Sequence, residues 1–318
     1  MGRRKGRPSD EVLAELFETV AAWYEPRDLF RIRAGFRARR PVTLRANTLK
    51  TDVGKVMEVF RREGIKFTRV PWYEEALILP ETRERDLEVH ELYREGHIYL
   101  QSLSSMLPPL VLRPRSGWRV LDLTAAPGSK TTQLAALMNN TGYILANEVN
   151  PIRAARLKFN IERQGARIVE VRVGDGKRLG EEWNESFDAV LLDAPCSGTG
   201  LVVEKDPRTW QSWSPELVAR LVKEQKKLMA AAFRALKPGG VLVYSTCTLL
   251  REENEEVVRW ALEKYQGKLF LERIDLTLSE AELAEPEPIP GHGREGMLLL
   301  LPSKLYEGFF LAKLRKNA

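Results

Sequence analysis

The sequence predicts a doubly wound α/β domain that is preceded by a smaller α+β domain. From Trp118 onward, short apolar runs alternate strictly with helical patterns, which is typical of a parallel sheet covered by helices. Residues 41–100 instead combine short strand patterns with one helix pattern. The 318 residues suffice for one large and one smaller domain. We therefore predict an N-terminal domain over residues 1–105 and a larger domain over residues 106–318.

The N-terminal part begins with a predicted helix at residues 9–24, in which Ser9 and Asp10 are candidate capping residues. An arginine-rich segment follows, from Arg27 to Arg40. Strands are then predicted at Val42–Arg45, Lys66–Val70, Leu77–Leu79 and Gly96–Leu100, and a helix at Asp52–Glu63. An α+β unit of this kind can present a sheet to RNA, but many small domains share its pattern.

The larger part alternates strands with helices. Strands are predicted at Arg119–Leu123, Tyr143–Glu148, Ile168–Val173, Phe187–Asp193, Val241–Ser245, Leu269–Ile274 and Phe309–Leu314. Helices are predicted at Ser129–Met138, Pro151–Gln164, Pro215–Leu236 and Glu252–Tyr265. Residues 279–296 are rich in proline and glycine and predict a surface loop.

Charge and composition exclude several classes of protein. The net charge of +6 lies entirely within residues 1–50, so we expect an anionic partner on that side, although Gly2 to Pro8 alone is more simply a solvated tail. No apolar run is long enough for a transmembrane helix, and Arg3 to Lys5 is not followed by a signal-peptide core. Two cysteines and three histidines without ligand spacing predict no disulfide framework and no metal site. Reduced thiols in a cytosolic-type compartment are expected.

The turn after the first strand of the larger domain predicts a nucleoside-type cofactor. Small residues at Ala125 to Gly128 let a ligand approach the backbone and the following helix N-terminus. The turn is neither a dinucleotide fingerprint nor a P-loop. Glu148, Asp175 and Asp193 lie at or just after the ends of successive strands. One such acid could be a helix cap, but three suit a positively charged nucleoside such as S-adenosylmethionine.

Two thiols follow strands that we expect to be neighbours of each other and of the first strand. Cys196 follows the strand that ends at Asp193, and Cys247 follows Val241–Ser245, so the thiols should meet beside the cofactor. Either cysteine alone would more simply be a small buried hydrophobe. Addition of a thiolate to C6 of cytosine would activate C5 for methyl transfer. Asp193 is a candidate acid at N3, and a second thiol or base could help remove the C5 proton.

Six ordered motifs resemble those of the RNA 5-methylcytosine methyltransferases of the Nol1/Nop2/Sun (RsmB/NOP) family. They are Arg45 to Lys50, Gln101 to Met106, Ala125 to Thr131, Asp193 to Gly200, Ser245 to Thr248 and Glu252 to Glu255. The resemblance implies a Rossmann-like class I methyltransferase domain and an N-terminal RNA-recognition-like domain. It also implies S-adenosylmethionine as cofactor and structured RNA, either ribosomal or transfer RNA, as substrate.

The same resemblance implies residue roles. Cys247 would be the nucleophile, Cys196 would assist product release, and Lys130 would lie close to both ligands. The cofactor contacts would be Ala125, Ala126, Pro127, Gly128, Ser129, Lys130, Thr131, Glu148, Arg153, Asp175 and Asp193. Thr124 and Ser129 stand where the family often has cysteine and glycine.

The resemblance is greatest to the nucleolar ribosomal RNA branch of the family. We expect no appended RNA-binding domain after residue 314, so the sequence does not define the target range. We expect a monomer that lies in the cytoplasm, or in the nucleolus of a eukaryote.

Other classes of protein remain possible from the residues. An RNA-binding assembly factor could keep the fold without turnover, but both thiols and three acids favour an enzyme. The basic N-terminal segment argues against a protein or small-molecule methyltransferase. The missing glycine fingerprint argues against a nicotinamide enzyme.

Overall fold

The computed structural model describes residues 9–276, 278 and 283–318. Its strands form two sheets, one of four strands near the N-terminus and one of nine strands in the rest of the chain. None of the described helices is long and apolar enough to cross a membrane.

Two helices precede the first sheet, α1 at Ser9–Ala21 and α2 at Pro26–Arg37. The sequence predicted only the first of them, because the arginines of α2 hide its periodicity. Pro26 occupies the first turn of α2, where its missing N–H costs no hydrogen bond. Val12, Leu16, Ile32 and Phe36 join one apolar cluster with residues of the larger domain, including Leu249. The helix pair therefore supports the loop that follows Cys247.

The four-stranded sheet is antiparallel, in the order β2-β3-β1-β4. Its elements are β1 (Val42–Ala46), α3 (Val53–Arg62), β2 (Thr68–Val70), β3 (Tyr73–Leu79), α4 (Glu84–Glu88), α5 (Glu91–Arg94) and β4 (Ile98–Leu100). The Asp52 side chain caps α3 by accepting a hydrogen bond from the Lys55 backbone N–H at 2.9 Å. Val56 and Phe60 of α3 are fully buried in the same cluster as Leu44 and Leu77 of the sheet.

The larger domain contains the remaining elements. Its helices are α6 (Leu103–Leu112), α7 (Ser129–Leu137), α8 (Pro151–Gln164), α9 (Gly176–Glu182), α10 (Pro215–Ala235) and α11 (Glu255–Lys264). Its strands are β5 (Arg119–Asp122), β6 (Tyr143–Glu148), β7 (Val169–Val173), β8 (Phe187–Asp193), β9 (Leu236–Thr246), β10 (Leu269–Leu271), β11 (Leu283–Ala284), β12 (Met297–Leu300) and β13 (Phe309–Lys316). Short 3-10 turns lie at Thr199–Leu201, Pro207–Thr209 and Arg251–Glu253.

The large sheet has the order β11-β12-β13-β9-β8-β5-β6-β7, with β10 paired to β13. Strands β5 to β9 are parallel, whereas β13 and β12 are antiparallel. The expectation that both thiol-bearing strands neighbour the first strand is half wrong: β8 pairs with β5, but β9 lies beyond β8. The two thiol loops still meet, because Asp193 at the end of β8 pairs in register with Ser245 of β9.

Several predicted boundaries also change. Residues 236–240 extend β9 instead of ending the preceding helix, and the predicted helix at Glu252–Tyr265 is divided between a 3-10 turn and α11. Strands β11 and β12 and helices α4, α5, α6 and α9 were missed. Part of the predicted loop at 279–296, residues 279–282, lies outside the described residues. The predicted division between residues 105 and 106 falls within α6 and stays a prediction.

The two sheets are joined by buried polar contacts. The Asn47 side-chain amide donates to the backbone oxygens of Gly96 and Gln164, both at 2.8 Å. The Arg45 guanidinium is fully buried and donates to Gln101 Oε1 at 2.9 Å and to Thr132 Oγ1 at 2.7 Å. These contacts fix α7 and α8 of the larger domain against β1 and β4.

Replacing Gly96 by alanine should destabilise the protein much more than Gly64→Ala. Both glycines follow a helix with left-handed φ values, 75° and 72°, so both changes carry strain of about 1 kcal/mol. An added Cβ at Gly96 would lie 2.0 Å from the Arg163 backbone oxygen, whereas at Gly64 it would meet nothing within 4 Å. Urea unfolding measures both losses. Equal losses would show that close contact at Gly96 does not hold the domains together.

Candidate active site

The turn between β5 and α7 is held in place by α8. Gly128 has a left-handed φ of 105°, and an added Cβ there would lie 2.9 Å from Leu157 Cδ1 of α8. Arg153 Nη2 donates to the Ala126 backbone oxygen at 2.8 Å, and Asn160 Nδ2 donates to that of Pro127 at 2.8 Å. The predicted cofactor turn is thus fixed from its outer side by two side chains of α8.

Two of the predicted acids lie next to this turn. Glu148 is buried at the end of β6, accepts a hydrogen bond from the Asn150 N–H at 2.8 Å, and pairs with Arg153 at 3.1 Å. Asp175 caps α9 by accepting a hydrogen bond from the Lys177 N–H at 3.1 Å. Asp175 therefore has the capping role that the sequence left as an alternative, and it also faces the cavity described next.

A cavity of about 280 Å³ lies at the ends of β5, β6 and β8. Among its lining residues are Ala126, Glu148, Arg153, Asp175, Asp193, Cys196 and Cys247. The other predicted cofactor residues, Ala125, Pro127, Gly128, Ser129, Lys130 and Thr131, are in the adjoining turn and first turn of α7. A larger groove of about 1050 Å³, lined by Arg39, Arg83 and Lys304 among others, contains none of the predicted catalytic side chains.

Lys130 and Asp193 form a partly buried ion pair at the edge of the sheet. Lys130 Nζ lies 2.8 Å from Asp193 Oδ2 and donates to Ser105 Oγ at 2.9 Å. Ser245 Oγ donates to the other oxygen of Asp193 at 2.6 Å. Burial lowers the pKa of Lys130, but the charges of Asp193 and Asp122 outweigh it, so the net shift raises that pKa. The amine is therefore charged and the carboxylate accepts hydrogen bonds.

The two cysteines meet as the sequence predicts. Both are free, and the Cys196 and Cys247 sulfur atoms are 3.0 Å apart. The Cys247 backbone N–H also donates to Cys196 Sγ at 3.2 Å. The hydrogen bond to Cys196, followed by burial, raises the pKa of Cys247 well above its ordinary value. In the protein without substrate, Cys247 is therefore a neutral thiol.

A buried carboxylate, Glu253, cross-links the two cysteine loops. Glu253 Oε1 accepts hydrogen bonds from the Ser197 N–H at 2.9 Å and from Gln225 Nε2 at 3.0 Å. Gln225 also donates to the Pro195 backbone oxygen at 2.9 Å. Ser197 Oγ lies 3.1 Å from Thr248 Oγ1, which joins the residue after Cys196 to the residue after Cys247. Burial raises the pKa of Glu253.

Sequence reasoning missed several of these polar groups. Glu253 belongs to a motif that was noted, but its distance in sequence from Ser197 concealed the contact. Asp122 is fully buried and accepts a hydrogen bond from Thr131 Oγ1 at 2.6 Å, and burial raises its pKa to about 7. Ser105 and Ser245 also belong to noted motifs, but their hydrogen bonds with Lys130 and Asp193 join residues that are far apart in sequence.

The arginine-rich segment makes contacts within the protein. Arg31 pairs with Asp28 at 2.8 Å, and the Arg33 guanidinium lies 4.3 Å from the centre of the Phe17 ring. Arg37 pairs with Glu204 in the segment that follows Cys196. An RNA contact by this segment stays a prediction.

The fold and the acid-lined cavity define the class of the protein as a Rossmann-like methyltransferase with an added N-terminal sheet domain. Residues 109–315 match the model of the 16S rRNA methyltransferase RsmB/F family, and residues 18–84 match a ferredoxin-like domain of RsmF/B-like methyltransferases. The chain belongs to this family, part of the Nol1/Nop2/Sun methyltransferases. The predicted family and fold class are therefore confirmed.

Two relatives are named ribosomal RNA small subunit methyltransferase F. The protein from Cronobacter sakazakii is 43% identical over 288 residues, and that from Escherichia fergusonii is 45% identical over 288 residues. Each alignment covers 88% of this chain and 58% of the relative. The chain thus spans less than two thirds of the length of these relatives.

Solved structures show the same architecture. A methyltransferase homologue from Pyrococcus horikoshii has a TM-score of 0.80 and 32% identity, covering 97% of this chain and 98% of that chain. NSun6 from Pyrococcus horikoshii with SFG has a TM-score of 0.82 and 24% identity, covering 96% and 98%, and shows a likeness of fold alone.

Within the part of the chain that the structure describes, no group of three or more His, Cys, Asp and Glu side chains is placed to hold a metal ion. The expectation of a protein without metal stays a prediction.

Replacing Cys196 by alanine should shift the alkylation of Cys247 by iodoacetamide to lower pH. The contact with Cys196 is the largest cause that raises the Cys247 pKa, and only the thiolate reacts readily. Without that contact the pKa falls, so the thiolate forms at lower pH. Mass spectrometry of the Cys247 peptide across a pH series gives the midpoint. The two proteins should react alike in urea, and an unshifted midpoint in the folded state would contradict the coupling.

Proposed function

We propose that this protein transfers a methyl group from S-adenosylmethionine to C5 of a cytosine in structured RNA. The observation that carries this proposal is the thiol pair at 3.0 Å, which shares one cavity with Asp193, the partner of Lys130. The names of the relatives favour ribosomal RNA of the small subunit over transfer RNA as the substrate. A monomeric protein in the cytoplasm is part of the same proposal.

The cavity residues fit S-adenosylmethionine. Glu148 and Asp175 offer carboxylate oxygens for ribose hydroxyls and an exocyclic amine, and they would attract the positive charge of the cofactor. Ala125 to Thr131 would approach it through the backbone and the α7 N-terminus, with Arg153 steadying Glu148. The volume of about 280 Å³ is near the lower end of ligand cavities, roughly 300 Å³. When bound, the cofactor would supply an electrophilic methyl group.

Cys247 would act as the nucleophile toward the base. Its thiolate adds to C6, and the electron pair of the C5–C6 double bond moves toward N3, which leaves an enamine with a nucleophilic C5. Because the pKa of Cys247 is raised, its thiol must lose a proton as the substrate binds, and Cys196 is the neighbour at hydrogen-bond distance. C5 would then take the methyl group as its bond to the cofactor sulfur breaks, which leaves S-adenosylhomocysteine, and loss of the C5 proton to a base would restore the double bond and expel the Cys247 thiolate. Cys196 is positioned to assist that release.

Asp193 and Lys130 would act together at N3 of the base. In the ion pair Asp193 accepts hydrogen bonds, so the protons available for N3 are those of the Lys130 amine. Asp193 would then orient Lys130 or relay a proton from Lys130 to N3. In this arrangement the proton comes from Lys130, whereas the sequence predicted that Asp193 alone would be the acid. In this proposal residues 1–105 form an RNA-binding-type domain and residues 106–318 form the methyltransferase domain.

Cys247→Ala should abolish methyl transfer, whereas Cys196→Ala should retain the covalent protein–RNA adduct. The first variant lacks the nucleophile, and the second lacks the group that assists its release. The assay follows radioactive methyl transfer from S-adenosylmethionine to transcribed small-subunit ribosomal RNA, with the adduct seen as a slow band on a denaturing gel.

Binding of S-adenosylmethionine by calorimetry is the control, and both variants should keep it. Full activity of Cys247→Ala would refute the mechanism. Release by Cys196→Ala at the parent rate, with no adduct, would remove the release role of Cys196.

A further inference from the structure

The outer face of α8 exposes apolar and basic side chains in one stripe. Ile152 and Phe159 are 73% and 61% exposed, and Arg156 between them is also exposed. With Arg163 these residues follow the i, i+4, i+7, i+11 spacing of one helix face. Large apolar side chains at such exposure mark a binding surface when they lie together.

The stripe continues onto the N-terminal domain. The Arg163 guanidinium lies 5.3 Å from the centre of the Phe159 ring and 4.1 Å from that of Tyr93 in α5. The Lys50 amine donates to the Arg163 backbone oxygen at 2.7 Å. We call Ile152, Arg156, Phe159, Arg163 and Tyr93 the α8 platform. It includes residues of both domains, which the contacts of Arg163 with Lys50 and Tyr93 join.

Charge indicates the kind of molecule that the platform fits. Helix α8 contains four basic residues, Arg153, Arg156, Lys158 and Arg163, against a single acid, Glu162. A helix surface with this excess of positive charge attracts an anionic polymer, and phosphate groups can pair with its arginines. Stacking surfaces flanked by arginine are typical of sites for single-stranded nucleic acid.

We propose that the α8 platform binds a single-stranded segment of the RNA substrate, with bases stacked on Phe159 and on the Arg163 guanidinium, which lies over Tyr93, and a phosphate on Arg156. Eleven residues of helix extend about 16 Å, the length of four or five nucleotides if they keep the stacked spacing of about 3.4 Å that they have in a duplex strand. The platform begins beside the cofactor cavity, because Arg153 in the same helix contacts Glu148 and Ala126. The inference rests on the proposed function and names where the RNA beyond the target cytosine lies.

Phe159→Ala and Arg156→Glu test the platform against the matched changes Phe270→Ala and Arg273→Glu. Phe270 is also exposed, at 40%, but belongs to β10 next to β13, away from α8. The probes are a fluorescent oligouridine and transcribed small-subunit ribosomal RNA, measured by anisotropy at several salt concentrations. Phe159→Ala should weaken binding by about fivefold or more, the loss of one stacked base. Arg156→Glu should also flatten the salt dependence.

The outcomes separate this inference from the proposed function. Binding by Phe159→Ala that equals the parent, an equal loss in Phe270→Ala, or a parent that binds neither probe would each overturn the platform. If a platform variant changes the oligomeric state and leaves RNA binding unchanged, the proposal is likewise wrong, and the platform binds a protein partner instead of RNA. If the parent binds RNA through the platform but forms no 5-methylcytosine, the proposed function fails while the surface stands. Unchanged binding of S-adenosylmethionine by the variants confirms that the fold is intact.

Discussion

The pairing of β8 with β9 is the constraint on which the site depends. These parallel strands end together, so the loops that follow them leave the sheet side by side. Strand pairing alone would leave the loops free to separate. Glu253 prevents this by accepting hydrogen bonds from Ser197 and Gln225 at a buried position, where losing either partner would be costly. The contact between the two thiols thus depends on the pairing of β8 with β9 and on the buried Glu253 side chain.

The buried Arg45 extends this constraint to the N-terminal domain. A buried charge is retained only where hydrogen bonds compensate for its lost hydration. Arg45 donates to Gln101 of the N-terminal side and to Thr132 of α7, the helix whose first turn contains Lys130. Burial lowers the pKa of Arg45, which reflects how much water it has lost. The position of Lys130 therefore depends on how the two domains meet.

The sequence predicted the elements whose signal is local. Strand Phe187–Asp193 and helix Pro151–Gln164 have the predicted bounds, because an apolar run and a proline at the first turn define them. Helix α2 was missed, since its arginines obscure the apolar stripe that packs on the larger domain. The roles of Glu253 and Ser105 could not be predicted, because each depends on a partner far away in the chain. The contact between the two thiols was predictable only because neighbouring parallel strands end at the same edge of a sheet.

The most direct test of the central claim uses RNA that contains 5-fluorocytosine at the target position. Fluorine at C5 cannot leave as the proton does, so the final elimination is blocked and the thiol stays attached to C6. Digestion and mass spectrometry then identify the attached residue. The account predicts a methylated fluorocytidine nucleotide on Cys247 and an unmodified Cys196. Attachment to Cys196, or no attachment while ordinary RNA is methylated, would contradict it.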